Sequence, residues 1–203
     1  MHIKTPLRWI YNLADRIKLK NKNVTVIASN CCGACICHEL RLRFNSPFVN
    51  LWLMPGDFLK YLKNIEHYNH CELEFIQEDG ISYPVGKLDD IRIYFEHYSS
   101  EEECKRKWEE RVARMDLSNC YVLFTDRDGC TYEQLKEFDQ LPYRNKLVMC
   151  NRAYADIQSA VYIKGFENEA CVGACTEYRS RFSIKKFYDD IQYVRWFNGK
   201  LSQ

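Results

Sequence analysis

Three clusters of residues could carry chemistry. The first is Asp126-Arg127-Asp128, directly after the apolar run YVLFT. In open α/β sheets ligands gather beyond the carboxyl ends of strands, so two carboxylates there would face the usual crevice. Their oxygens suit Mg²⁺ or Mn²⁺, hard cations that keep waters and recruit a substrate diphosphate. The same residues also fit an Asx-type turn capping the helix that follows Thr131. The second cluster runs from Ser29 to His38 and holds four thiols in seven positions, Cys31, Cys32, Cys35 and Cys37. Asn30, Cys32 and Gly33, placed between a strand and a helix start, could offer backbone N–H groups to a phosphate. Cys32 and Cys35 have redox-pair spacing, and Cys32, Cys35, Cys37 and His38 could supply zinc ligands, but the distant Cys171 and Cys175 form no matched second pair. Packed thiols are the plainer reading. The third cluster lies between Tyr83 and Tyr98: Asp89 and Asp90 precede a strand, while Glu96 and His97 lie at its end, where a general base would be placed. Strand alternation alone would also put Glu96 and His97 on opposite faces with no catalytic meaning.

The elements that would position these groups alternate. Val24–Asn30 is a β-branched run ending in turn residues, and CCGACICHEL opens a helix. Phe48–Leu53 reads as a second strand, followed by a helix with Pro55 at its start and Phe58, Leu59, Leu62 and Ile65 on one face. Glu72–Glu78 and Ile91–Tyr98 read as strands separated by the turn-rich DGISYPVGKLDD. Ser100 and Glu103 have capping-box spacing before a helix with Cys104, Trp108, Val112 and Met115 on its seam. Tyr121–Thr125 and Lys146–Cys150 are further strands around the helix TYEQLKEFDQL, and SIKKFYDDIQYVRWF reads as a closing helix. The pattern predicts an α/β layered sandwich: a mostly parallel sheet, with some antiparallel pairing, flanked by helices. Residues 1–22 read as a basic amphipathic helix and 23–203 as a single α/β domain.

Charge and composition narrow the classes. The chain of 203 residues is 46% hydrophobic and 28% charged with a net charge of +1, which excludes disordered and membrane-spanning classes and argues against nucleic acid as a partner. The positive charge is concentrated at the front: residues 1–22 hold six Lys or Arg against Asp15 alone. There Leu7, Ile10, Tyr11, Ala14 and Ile17 share a helical face. Such a helix could lie on anionic lipid, as peripheral association with the inner membrane face, or pack on its own domain with a solvated basic face. No secretory signal pattern is present, so the expected compartment is cytoplasmic. In a reduced cytosol the 11 cysteines are read chiefly as packing residues.

The D-x-D after a strand resembles the metal-binding motif of nucleotide-sugar glycosyltransferases, where the cation neutralises the leaving nucleoside diphosphate. The string DRDGCT also resembles the nucleophile loop of haloacid-dehalogenase-type phosphatases, but Cys130 sets Thr131 one position late and several strands precede this one. More extensively, SNCCGACICHELRLRFNSPFVNLWL, YPVGKLDDIRIYFEHY, KWEERVARM, LFTDRDGCTYEQLKEFDQLPYRNKLV and YIKGF together resemble a bacterial family of exopolysaccharide or capsular-polysaccharide biosynthesis proteins, over residues 24–166. The resemblance implies an α/β protein of surface-glycan assembly. Related sequences look more like S-N-N-C-W-G-G in the first loop, where this chain has Ser29-Asn30-Cys31-Cys32-Gly33-Ala34. The expected function is a glycosyltransferase-like enzyme with a nucleotide sugar and a glycan or lipid-linked glycan as substrates. In it Asp126 and Asp128 hold the metal, Asn30, Cys32 and Gly33 lie near the nucleotide, and His97, Asp89 and Asp90 provide acid–base groups. The alternatives are a non-catalytic accessory of the same machinery, or a transferase or phosphatase modifying the glycan.

Overall fold

A computed structural model describes residues 4–200 of the chain; residues 1–3 and 201–203 of the expected spans lie outside the described residues. Its centre is a parallel sheet of β1 (Thr25–Ala28), β5 (Cys120–Thr125), β6 (Lys146–Cys150) and β7 (Ala160–Tyr162), in the order β1-β5-β6-β7. A second, antiparallel sheet holds β2 (Glu74–Ile76), β3 (Val85–Leu88) and β4 (Ile91–Tyr94). The mixed α/β architecture is therefore as the alternating pattern predicts.

Both faces of the central sheet are buried, which explains why its strands are near-continuous apolar runs. Ile27, Val122, Phe124, Val148 and Cys150 point to one side, where they meet α3 (Pro55–Lys63), α5 (Glu101–Val112) and α6 (Tyr132–Gln140). Val26, Ala28, Leu123, Leu147 and Met149 point to the other and meet α2 (Cys32–Leu40) and the C-terminal segment around Tyr188, Trp196 and Phe197. The two sheets are joined by residues 52 and 53. Trp52 exchanges backbone hydrogen bonds with Tyr94, and the Leu53 N–H donates to the Ser29 carbonyl at 3.0 Å.

The structure departs from the expected elements in four places. Phe48–Leu53 is no strand; only Trp52 bridges, because the apolar side chains Phe48, Leu51 and Leu53 serve the core from an irregular segment. β3 forms inside the stretch read as turns, where Gly86 leaves room for Leu73 and Phe95. The helix after Pro55 breaks at Asn64, which separates α3 from α4 (Ile65–His70). The closing helix splits into a 3-10 turn, Phe187–Ile191, and α7 (Tyr193–Phe197), because Gln192 adopts a left-handed conformation at φ 50°.

The largest departure concerns α1 (Lys4–Lys18). It packs on α2, yet with its polar side inward: Arg8 and Asn12 are buried, while Leu7, Ile10 and Ile17 are exposed. The Arg8 guanidinium is the reason. It donates to both carboxylate oxygens of Asp189 at 2.6 and 3.0 Å and is paired with Glu39 of α2, with the Tyr11 ring 4.8 Å away. A buried, multiply bonded guanidinium orients the helix where apolar periodicity alone predicts the opposite face.

Cysteines are spread through this packing. Burial pushes the Cys37, Cys104 and Cys120 thiols up to about 12, so they behave as small apolar residues. Gly33 shows how tightly α2 lies on β1: a Cβ there would stand 2.7 Å from Ala28 Cβ and 3.0 Å from Val26 Cγ1. Gly33→Ala is expected to lose about 1–3 kcal/mol by overpacking, read as a lower urea midpoint. An unchanged midpoint would show that α2 can ride away from the sheet at no cost.

Candidate functional site

The segments that leave the carboxyl ends of β1 and β5 meet the end of β4 around an open cavity of about 400 Å³. Its lining includes Asn30 and Cys32 from the first loop, Glu96 and His97 after β4, and Arg127 and Asp128 after β5. This is where an α/β sheet is expected to receive a ligand. Two larger cavities, of about 620 and 630 Å³, lie elsewhere, one beside α1 and the other at the amino ends of β5 and β6. Neither collects the groups that the sequence marks out for chemistry.

Asn30 organises the first rim. Its side-chain oxygen accepts from the Cys32 N–H at 3.1 Å, opening α2, and its amide donates to Thr125 Oγ1 at 3.1 Å. The ends of β1 and β5 are thereby held at a fixed spacing. Cys32 is buried, and a hydrogen bond with Cys175, together with burial, pushes its thiol up. Cys31 is pushed up to about 11 by burial. Neither is set up as a thiolate nucleophile. Gly33 faces β1 rather than the cavity, so its lack of a side chain serves helix-to-strand packing.

The two aspartates of the D-x-D separate. Asp126 is buried, with one carboxylate oxygen accepting from the Asn151 N–H and the other from the Val172 N–H, each at 2.8 Å. It ties the loops after β5 and β6 to the segment at Val172. Burial pushes its carboxyl up, and the two N–H donors oppose that shift. Asp128 is exposed in a left-handed turn at φ 59°, followed by Gly129 at φ 77°, and lines the cavity. Of the pair, Asp126 is directed into the loops and only Asp128 lines the cavity. Neither caps α6, whose capping box consists of Thr131 and Gln134.

His97 and Glu96 are both exposed and both reach the cavity. Asp89 and Asp90 do not join them. They occupy the two-residue β3–β4 turn, at the far end of that hairpin. There Asp89 contacts His67 at 3.0 Å, and Asp90 pairs with Lys60 and accepts from the Tyr68 hydroxyl, both at 2.7 Å.

Four lining residues have no role assigned by the sequence pattern. Trp52, half-exposed, stacks on Tyr94 with ring centroids 4.0 Å apart and 7° between planes, and presents an aromatic surface to the cavity. Cys175 and Thr176 come from a segment with no repeating pattern that could announce them. Arg127 was visible within the D-x-D but had no role; its guanidinium forms no ion pair among the described residues. An unpaired cation beside an aromatic surface can bind a phosphate-bearing ligand with a ring to stack.

A family model described as a domain of unknown function, DUF1919, matches residues 3–198. A protein of Haemophilus influenzae, described as uncharacterized, is 49% identical over 191 residues, covering 94% of this chain and 92% of the relative.

Proposed function

Given a chain that belongs to the DUF1919 family, we propose that it is a glycosyltransferase-like enzyme of bacterial surface-polysaccharide assembly that takes an activated sugar in the cavity at the ends of β1 and β5. The carrying observation is the convergence there of unpaired Arg127, the Trp52 surface and the groups Glu96, His97 and Asp128. The polysaccharide context rests on the sequence resemblance. In this reading Arg127 holds the donor's phosphate and a ring of the donor lies on Trp52. An acceptor hydroxyl attacks the anomeric carbon, its proton passes to His97, and the bond from that carbon to the phosphate oxygen breaks. Arg127 then offsets charge growing on the leaving phosphate. Asp128 and Glu96 are the carboxylates available to orient sugar hydroxyls. Asp126 holds the loop that carries Arg127 and Asp128.

Calorimetry of the full chain against a panel of nucleotide sugars, with and without Mn²⁺, tests this reading. Arg127→Ala is expected to weaken binding roughly 10- to 100-fold, the worth of a charge-assisted hydrogen bond, while leaving the urea midpoint within about 0.5 kcal/mol. Absence of binding across the panel, or binding indifferent to both Arg127→Ala and Trp52→Ala, would remove the donor assignment.

The inward turn of Asp126 favours a second reading, a non-catalytic saccharide-binding accessory of the same machinery. Ligand binding without release of nucleoside diphosphate, and indifference of that binding to His97→Ala, would favour it over the enzyme.

A further inference from the structure

The orientation of α1 leaves an apolar helix face without a partner. Of the nine large hydrophobic side chains exposed among the described residues, five belong to this helix: Leu7, Trp9, Ile10, Leu13 and Ile17. With exposed Ala14 they fall within an arc of about 160° that contains no charged residue. The opposite side is fixed in the protein by Arg8, bound to Glu39 and Asp189. Such concentration on one element exceeds the scattered single hydrophobics that any surface carries.

The surroundings of that face identify the occupant. Lys18, Lys20 and Lys22 are exposed at and beyond the end of the helix. The adjoining cavity of about 620 Å³ adds Lys185, Arg195 and Lys200 to Lys18. None of these six cations forms an ion pair among the described residues. The acids of the same cavity are already engaged: Asp189 with Arg8, Asp190 with Arg179, and Asp15 as acceptor for the Tyr193 hydroxyl. Phe182, 91% exposed, projects from the neighbouring loop, whose Ile184 carbonyl accepts from Arg8 at 3.2 Å. An apolar stripe bearing a tryptophan, beside a basic rim whose neighbouring acids are already hydrogen-bonded or ion-paired, matches the headgroup boundary of an anionic bilayer. No described helix is long and apolar enough to cross a membrane.

We infer that α1 is a membrane-surface helix: the domain grips it by its polar side, centred on Arg8, and it lies with Leu7, Trp9, Ile10, Leu13 and Ile17 in an anionic lipid interface. The inference is independent of the chemistry assigned to the cavity at the ends of β1 and β5. Because the helix is held in place by the ion pairs, its apolar side is presented without a folding step.

Cosedimentation of the full chain with vesicles tests the assignment, using phosphatidylcholine alone and phosphatidylcholine mixed with phosphatidylglycerol. Binding to the mixed vesicles is expected, with roughly tenfold or greater loss in phosphatidylcholine alone. Ile10→Asp with Ile17→Asp, at exposed positions, should lower binding to the mixed vesicles at least about tenfold without lowering the melting temperature. Lys18→Glu with Lys200→Glu should reduce it through charge alone. Failure of the unaltered protein to cosediment would overturn the inference, as would undiminished binding by both double variants. A concentration-dependent dimer that the Ile10→Asp, Ile17→Asp variant abolishes, with no vesicle binding, would assign the face to a second copy of the chain instead.

Discussion

Asp126→Ala is expected to unfold at a markedly lower urea concentration than the unaltered protein, with a loss of about 3–5 kcal/mol, whereas Asp128→Ala stays within about 0.5 kcal/mol. The asymmetry follows from what each carboxylate touches. Removing Asp126 leaves the Asn151 and Val172 N–H groups without their acceptor, inside loops that exclude most water. Each was a hydrogen bond to a carboxylate, stronger than a neutral one. Asp128 is exposed, with no such duty. The measurement is urea unfolding at matched slope, so that a change in midpoint reads as a change in stability. A result in which Asp128→Ala costs more than Asp126→Ala would overturn the division of labour between them. Asp128 touches the cavity directly, whereas Asp126 acts on it only by holding the loop that carries Arg127 and Asp128.

The second large effect is expected at Arg8. Replacing it with Ala leaves Glu39 and Asp189 facing one another's surroundings without their shared cation, a situation that costs about 3–5 kcal/mol when the charges are buried. The Asp189 carboxylate keeps the Lys186 N–H at 2.7 Å, and Glu39 keeps Lys186 Nζ at 3.2 Å, which sets the lower end of that range. Acidity provides an independent check. Burial pushes the Glu39 carboxyl up, but hydrogen bonds from Arg8 and Tyr188 and the charges of Arg8 and Lys186 outweigh it, so its pKa lies below the ordinary glutamate value. A carboxyl depressed in the folded state stabilises above its unfolded pKa, and that contribution is lost as pH falls through the folded value. The unaltered protein should therefore lose stability on acidification below about pH 4.5, and Arg8→Ala should lose less over the same interval. Parallel acid profiles for the two proteins would contradict the ion-pair account.

Legibility in the sequence depended on whether a local pattern had a local cause. β1, β5 and β6 could be read because strands buried on both faces are apolar throughout, and α5 because Ser100 caps it within one turn. β3 was hidden because Gly86 and the preceding Pro84 resemble turn residues, although the glycine serves close approach of Leu73 and Phe95. For α1, periodicity identified which residues share a face but not which face meets the protein, since that was decided by Glu39 and by Asp189, 181 residues away from Arg8. The site followed the same rule. Strand-end position brought Asn30, Cys32, His97 and Asp128 to one cavity, while the assignment of Asp126 depended on backbone N–H groups at 151 and 172 that no spacing announces. Asp89 and Asp90 precede the strand that ends near His97, which groups the three in the sequence, whereas the hairpin puts the two aspartates at its other end.

The strand order has a kinetic consequence. β2, β3 and β4 are neighbours along the chain and can pair as soon as they are synthesised. β1 has to wait for β5, and the Asn30 to Thr125 bond that secures their ends spans 95 residues. Late closure of a parallel pair makes for slow folding and prolonged exposure of an apolar strand. During that interval α2 can cover one face of β1 while the other stays open, and α1 has no Asp189 to hold it. On the ribosome, α1 with its apolar face therefore emerges well before the residues that determine its orientation.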